Sequence, residues 1–292
     1  MKALMFGIVL NALLLGLGAS LPYTPNPPVP TVSSPSAVYS SAPFRAGEVL
    51  RYSVKWSFVR LGTIELRQGA PAQGGGPIRP VRLTALSASG LPFIDVRLRE
   101  ESQLDAADPR LRDCLVRREH DPREVKHYTY DILNELFALE LRPEGKPATR
   151  QQRREAQRPH DAAGLLMMLR GYAGSGATLT VPTLMDFTIQ RSRVSFPRAV
   201  EMLEVPAFDD EEVPAHRVEV RSSWTDESAG GMGGNFDLWC TTDAAAIPLR
   251  AEIEIALGSI VIELESCTRP GWSRGTLGDA SGSRAAQAGG GQ

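Results

Sequence analysis

The sequence predicts a mainly β fold: an antiparallel sheet curled into a barrel or half-barrel, with one short helix packed on it. Three observations carry this reading. Apolar and polar residues alternate at Leu50–Phe58 and again within Leu249–Leu257 and Ser259–Glu265. A dozen or so segments of strand character are punctuated by glycine and proline. One stretch alone has clear helical spacing, and no strand–helix–strand unit repeats, which disfavours a parallel sheet.

The first element is the clearest. In FRAGEVLRYSVKWSFVRLGTIEL, Leu50, Tyr52, Val54, Trp56 and Phe58 share one parity, and Arg51, Ser53, Lys55 and Ser57 the other. This is a strand with one dry and one wet face. Ile64 and Leu66 continue the alternation after Gly62 and complete a hairpin. On this pattern Val54→Asp should unfold the domain and Ser53→Asp should be tolerated. Gly69–Pro80 reads as a loop. Val81–Ser87, Phe93–Leu98 and Glu100–Asp105 read as strands, and Cys114–His120 with Val125–Tyr130 as a hairpin around Asp121-Pro122-Arg123. Asp131–Leu141 fits both periods and reads as strand or irregular structure. The arginines at 150, 153, 154 and 158 read as a solvated face.

Pro159–Gly171 is the helix. Asp161 suits its start, Ala162, Leu165, Leu166, Met168 and Leu169 give three-four spacing, and Gly171 is placed to end it. Its methionines, Met167 and Met168, either fill a core or line an apolar cavity. Strands then return at Thr178–Val181, Met185–Arg191, Arg193–Phe196, Ala199–Val205 and His216–Trp224. Gly230–Gly234 is a loose loop, and Phe236–Thr242, Leu249–Leu257 and Ser259–Glu265 form a meander.

Outside the core, residues 1–20 have the charged start, apolar centre and small-residue end of a secretory signal peptide. Residues 21–43 form a proline-rich linker, 44–272 a single β-rich domain, and 273–292 a tail too poor in apolar groups to fold. The expected address is exported, periplasmic or extracellular, with no transmembrane span after signal removal. A net charge of −2 with signs interspersed gives no nucleic-acid footprint. Three cysteines are too few for a disulfide scaffold. Cys240 and Cys267 fall on strands two apart in the meander, beyond bridging reach, and Cys114 is the odd thiol.

No catalytic motif stands out. There is no Gly-x-Ser-x-Gly elbow, Ser259 sits where a hairpin turn is needed, and GYAGSG leaves a helix rather than opening one. His120, His127, His160 and His216 lack metal-ligand spacing, so no metal and no cofactor is expected. Asp243, just past Trp239, is the carboxylate worth examining, although a turn aspartate bonding its own backbone explains it as well. Tyr52, Trp56 and Phe58, with Trp239, either fill a core or line a cleft for an apolar ligand.

The opening stretch, the closing LWCTTDAAAIPLRAEIEIALGSIVIEL and the central PHDAAGLLMMLR resemble the bacterial family called domain of unknown function 3108. Where that family has Trp-x-x-x-Asp and then an Ile/Leu-Pro step, this chain has Trp239, Asp243 and Ile247-Pro248. The resemblance spans roughly Phe44–Cys267. It implies an exported β-rich protein and carries no activity or catalytic residues with it.

The favoured function is non-enzymatic: binding of a lipid-like or apolar small molecule in envelope maintenance. One alternative is an envelope protein-interaction module. The other is a carboxylate- or His-dependent hydrolase, whose mark would be titratable residues converging in a cleft.

Overall fold

The computed structural model describes residues 38–71, 76–91, 95–119, 123–185, 187–222, 225–226, 232–233, 235–255 and 258–273. The expected signal peptide, most of the linker, the tail beyond Ser273, His120, Asp121-Pro122 and most of the 230–234 loop lie outside the described residues. No helix among those described is long and apolar enough to cross a membrane.

The strands are β1 (Val49–Trp56), β2 (Val59–Gln68), β3 (Ile78–Ser87), β4 (Arg97–Asp105), β5 (Asp108–Arg118), β6 (Glu124–Asp131), β7 (Leu136–Pro143) and β8 (Thr149–Arg154). The helix α1 (Ala162–Tyr172) follows. Then come β9 (Thr178–Met185), β10 (Thr188–Ser195), β11 (Val200–Glu204), β12 (Glu212–Ser222), the short β13 (Thr225–Asp226) and β14 (Met232–Gly233), β15 (Phe236–Thr241), β16 (Pro248–Ile255) and β17 (Gly258–Thr268).

Fifteen strands form one antiparallel sheet in the order β8-β7-β6-β5-β4-β3-β2-β1-β17-β16-β15-β12-β10-β9, with β11 added beside β12. The chain begins in the middle of the sheet and meanders to one end. It crosses through α1 to the other end and returns until β17 pairs with β1. Short hairpin connections make this topology, since antiparallel neighbours need no crossover.

The sheet does not close, because β8 and β9 do not pair. Residues 155–161 stitch the gap instead. Leu111 N–H donates to Pro159 O (2.7 Å), His160 N–H to Pro182 O (2.8 Å) and Leu184 N–H to His160 O (2.7 Å). Arg153 of β8 reaches across to Phe187 O (2.6 Å) and stacks on the Phe187 ring. Pro182 is tolerated inside β9 because this is an end strand, where a missing N–H breaks no ladder.

The curled sheet surrounds α1. Ala163, Gly164, Met167, Met168, Leu169, Arg170 and Gly171 are all buried, so the helix is enclosed on most sides. The expected helix end at Gly171 is corrected: the helix runs through it to Tyr172. Gly171 is there because a Cβ would lie 2.2 Å from the Tyr39 ring. Gly164 has the same reason at the other end, where a Cβ would lie 2.1 Å from Pro109 O. Both glycines let backbone approach backbone.

Arg170 fixes the helix C-terminus. It is fully buried, forms a two-pronged pair with Glu48 (2.7 and 3.0 Å) and donates to Ala245 O and Ala246 O (3.0 Å each). Glu48 also bonds Arg269 and accepts from Gln68 Nε2 (2.5 Å). Burial pulls the Glu48 carboxyl upward, but the Arg170 and Arg269 guanidinium groups override it and hold it below its ordinary range.

Two other expectations are corrected. Arg150, Arg153 and Arg154 sit on the end strand β8, but Arg158 is buried and bonded to Asp108. Ser53, on the wet parity, is fully buried. The β11–β12 hairpin lies against the outer face of the sheet at this point. Lys55, Arg250 and Glu263 share a cleft of about 510 Å³ with Leu203, Glu204 and Glu212 of that hairpin. Ser53 pairs directly with Glu263 beneath this cover. The hairpin roofs part of the outer face there, which alternation within β1 cannot report.

Arg170→Met should cost about 3–5 kcal/mol in urea unfolding, because buried Glu48 loses its two-pronged partner and keeps Arg269 as its one guanidinium. Ser53→Asp should cost at least about 2 kcal/mol, alongside the unfolding expected of Val54→Asp. A wild-type midpoint for Ser53→Asp would show that the outer face is open at β1.

Candidate functional site

The positions marked by the sequence do not gather into one lining. Tyr52 points inward, is buried, and donates to Pro248 O (3.1 Å), and burial drives its hydroxyl pKa up. Trp56 is half-buried against the core. Phe58 lies beyond the end of β1, after Ser57 at φ 54°, and is 93 % exposed in the β1–β2 turn. Its expected place on the apolar face is therefore corrected: the strand stops before its parity can apply.

Trp239 lies on the other face from Tyr52. Directly paired residues share a face, and Trp239 pairs with Arg250, Arg250 with Glu263, and Glu263 with Ser53, the neighbour of Tyr52. There Trp239 donates from Nε1 to Glu201 (2.7 Å) and sits under the Arg217 guanidinium.

Asp243 organises a corner. It accepts from Thr241 Oγ1 (2.5 Å) and Trp272 Nε1 (2.6 Å), while Thr241 Oγ1 accepts from Ile247 N–H (2.8 Å). Its partners account for it structurally. Cys114, Cys240 and Cys267 are all free thiols. Cys240 faces Pro248, and Cys267 faces Leu50 of β1. His127 binds Asp113 (2.9 Å) and His216 binds Ala199 O (3.1 Å). His160 is enclosed in the 155–161 strap, where burial pulls its pKa down to about 4.

The concentration of unusual chemistry lies elsewhere, inside the sheet at the N-terminus of α1. Strand β4 turns Leu98, Glu100, Ser102 and Leu104 inward on one parity. Ser102 pairs directly with Cys114 of β5. Asp161 is the helix N-cap and accepts from Gly164 N–H through Oδ1 (2.6 Å). Glu100 acts as a second cap supplied from the sheet. Its Oε1 accepts from Ala163 N–H (2.9 Å) and from Ser102 Oγ (3.3 Å). Two free helix donors and the positive end of the dipole thus meet two carboxylates.

The remaining oxygens, Glu100 Oε2 and Asp161 Oδ2, are buried with no hydrogen-bond partner. Donor atoms of Glu100, Asp161 and Cys114 all lie within 4.8 Å of one another. Burial and then the Asp161 charge push Glu100 well above the usual carboxylate range, and burial pushes Asp161 up to about 6. Burial likewise raises the Cys114 thiol, with the Glu100 and Asp161 charges adding to it. Titratable groups do converge here, but in a sealed core rather than a cleft open to substrate.

Sequence reasoning placed Asp161 at the helix start but passed over Glu100. The one available signal was a glutamate on the apolar parity of a strand, Leu98-x-Glu100-x-Ser102-x-Leu104.

Comparison with known proteins gives a family and two distant structural likenesses. A family model described as "Protein of unknown function (DUF3108)" matches residues 51–265. No curated protein matches the chain. Among solved structures, a beta-barrel-like protein of domain of unknown function DUF1849 from Brucella abortus is 11 % identical. That match covers 78 % of this chain and 99 % of the other, with a TM-score of 0.49. A "putative exported protein with YmcC-like fold" from Bacteroides fragilis is 11 % identical over 80 % of this chain and 100 % of the other, with a TM-score of 0.34.

The raised carboxyl pair sets a sign for stability. A carboxyl group raised by folding contributes stability that is full below its unfolded pKa, near 4, and is lost as pH rises through the folded value. Loss should therefore run from pH 4 through about 6 and beyond. Glu100→Gln keeps an acceptor for Ala163 N–H and adds a donor for Asp161. With a chelator present, its thermal midpoint should match wild type near pH 4 and exceed it by several degrees at pH 8. Parallel pH profiles would show that the pair is not buried together.

Proposed function

The chain belongs to the DUF3108 family, and from that premise we propose that it is an exported, non-enzymatic binding protein for a lipid-like or apolar molecule of the cell envelope. Export rests on the charged, apolar and small-residue pattern of residues 1–20.

The single observation that carries the binding reading is Phe58, 93 % exposed at the tip of the β1–β2 hairpin. The interior is filled by α1 and a continuous apolar core, and Tyr52 belongs to that core. Phe58 offers an apolar ligand a surface group instead. It stands two residues past half-buried Trp56. Lys55 and Arg60 flank the tip, each paired with a glutamate of β17. An aromatic tip between cations suits the boundary of an anionic lipid surface.

A second reading has its own observation. Strand β11 carries Val200 and Met202, 54 % and 53 % exposed, and among the described residues it pairs with β12 alone. The end strand β8 has the sequence TRQQRR, the charged pattern that discourages pairing, whereas β11 presents apolar side chains. A protein partner that adds a strand would use β11.

Co-sedimentation with vesicles containing anionic phospholipid, together with a fluorescent fatty-acid probe, separates these readings. Phe58→Ser should keep the wild-type melting temperature and lose binding at least fivefold, while Met202→Lys leaves it unchanged. Equal binding by wild type and Phe58→Ser would overturn the lipid reading.

A further inference from the structure

We propose that Glu100, Asp161 and Cys114 form a site for one divalent transition-metal ion of the zinc type. The three donors come from three separately anchored elements: β4, the α1 N-cap and β5. All three side chains are buried, at 0 %, 1 % and 0 % exposure. Each carboxylate is held by one oxygen to a helix N–H, at 2.9 Å for Glu100 and 2.6 Å for Asp161. Each keeps a second oxygen, Oε2 and Oδ2, with no partner. A buried carboxylate oxygen without a hydrogen bond is costly, so two such atoms in one cluster call for a shared occupant.

The chemistry of the set favours a cation that accepts sulfur. One thiolate with two carboxylates suits zinc and excludes the hard, all-oxygen preference of calcium or magnesium. The donor atoms lie within 4.8 Å of one another. In a tetrahedral zinc site they would be roughly 3.5 Å apart, so side-chain rotations of about 1 Å close the site. Ser102, directly paired with Cys114 and donating to Glu100 Oε1 at 3.3 Å, is placed to orient the ligands from outside.

Charge points the same way. Glu100, Asp161 and an ionised Cys114 would carry three negative charges, and the nearest cation on the helix, Arg170, is committed to Glu48 at the opposite end. A proton relieves one carboxylate but engages the sulfur only as a thiol donor to Asp161. A divalent ion engages all three donors and releases the thiol proton and any carboxyl proton to solvent. Because the site is sealed, the ion enters as the chain folds.

The test uses the full mature chain, unfolded in denaturant with chelator and refolded with one equivalent of cobalt(II) as the spectroscopic stand-in for zinc. The expected result is a sulfur-to-cobalt charge-transfer band in the near ultraviolet, one bound ion by native mass spectrometry, and a raised thermal midpoint. Cys114→Ser should lose the band, and Glu100→Gln, which keeps the helix cap, should weaken binding at least tenfold. Cys240→Ser should leave both unchanged, which separates the site from the other buried thiol. Wild type that refolds with no thiolate band and no retained ion would overturn the proposal and leave a proton-sharing pair. Undiminished binding by Cys114→Ser would overturn it equally.

Discussion

The helix is the constraint on which this structure depends, because it is held at each end by a carboxylate from the sheet. At its C-terminus, Glu48 meets the Arg170 guanidinium and, through it, the carbonyls of Ala245 and Ala246 before β16. At its N-terminus, Glu100 of β4 caps Ala163 N–H. One buried eleven-residue strut thus ties the first strand, the fourth strand and the last meander together. A sheet that never closes needs such a tie. Its end strands β8 and β9 are joined through the 155–161 segment rather than by a ladder, and that segment leads directly into the helix.

The two ends of the strut are electrostatically unlike. At the C-terminus a carboxylate is matched by two guanidinium groups and by further donors, so it stays ionised in a fully buried place. At the N-terminus two carboxylates share one pair of backbone donors, and among the described residues no cation offsets either. The first arrangement satisfies its charges within the protein; the second does not. Both are expensive to build, since removing a charge from water costs several kcal/mol before pairing repays it. A purely structural cap at Ala163 would be served by a neutral acceptor, so the retained second carboxyl is the feature that asks for a chemical reason.

Much of the fold was legible in the sequence. Alternation in β1, β16 and β17 located strands whose inward residues, Leu50, Val54, Ile253 and Ile262, are buried. Three-four spacing located α1, and Asp161 its start. What was not legible depended on segments distant in sequence. Ser53 is buried on the outer face, where a hairpin distant in sequence shares a cleft with Glu263, its paired residue. Gly171 continues the helix because Tyr39 crosses it, and Phe58 left the apolar face because Ser57 turned the chain first. The candidate site fell in the same gap. Glu100 sits on a dry parity, where periodicity registers it as an exception and offers no partner; only the packing of α1 against β4 and β5 brings Asp161 and Cys114 to it.

The strap and the helix start also respond to pH in opposite senses, and the sum follows from the two signs. His160 is buried neutral with its pKa pulled down from 6.5 to about 4, so its contribution is full above 6.5 and is lost as pH falls toward 4. Asp161, its immediate neighbour, is raised from 3.8 to about 6, so its contribution is full below 3.8 and is lost as pH rises through 6. Between pH 4 and 6 the two gradients oppose each other across one peptide bond. Acidification from pH 6 to 4 therefore leaves the sum of the two contributions nearly unchanged. At alkaline pH the carboxyl pair stands unopposed, and there a bound cation at Glu100, Asp161 and Cys114 would restore what the lost protons took away.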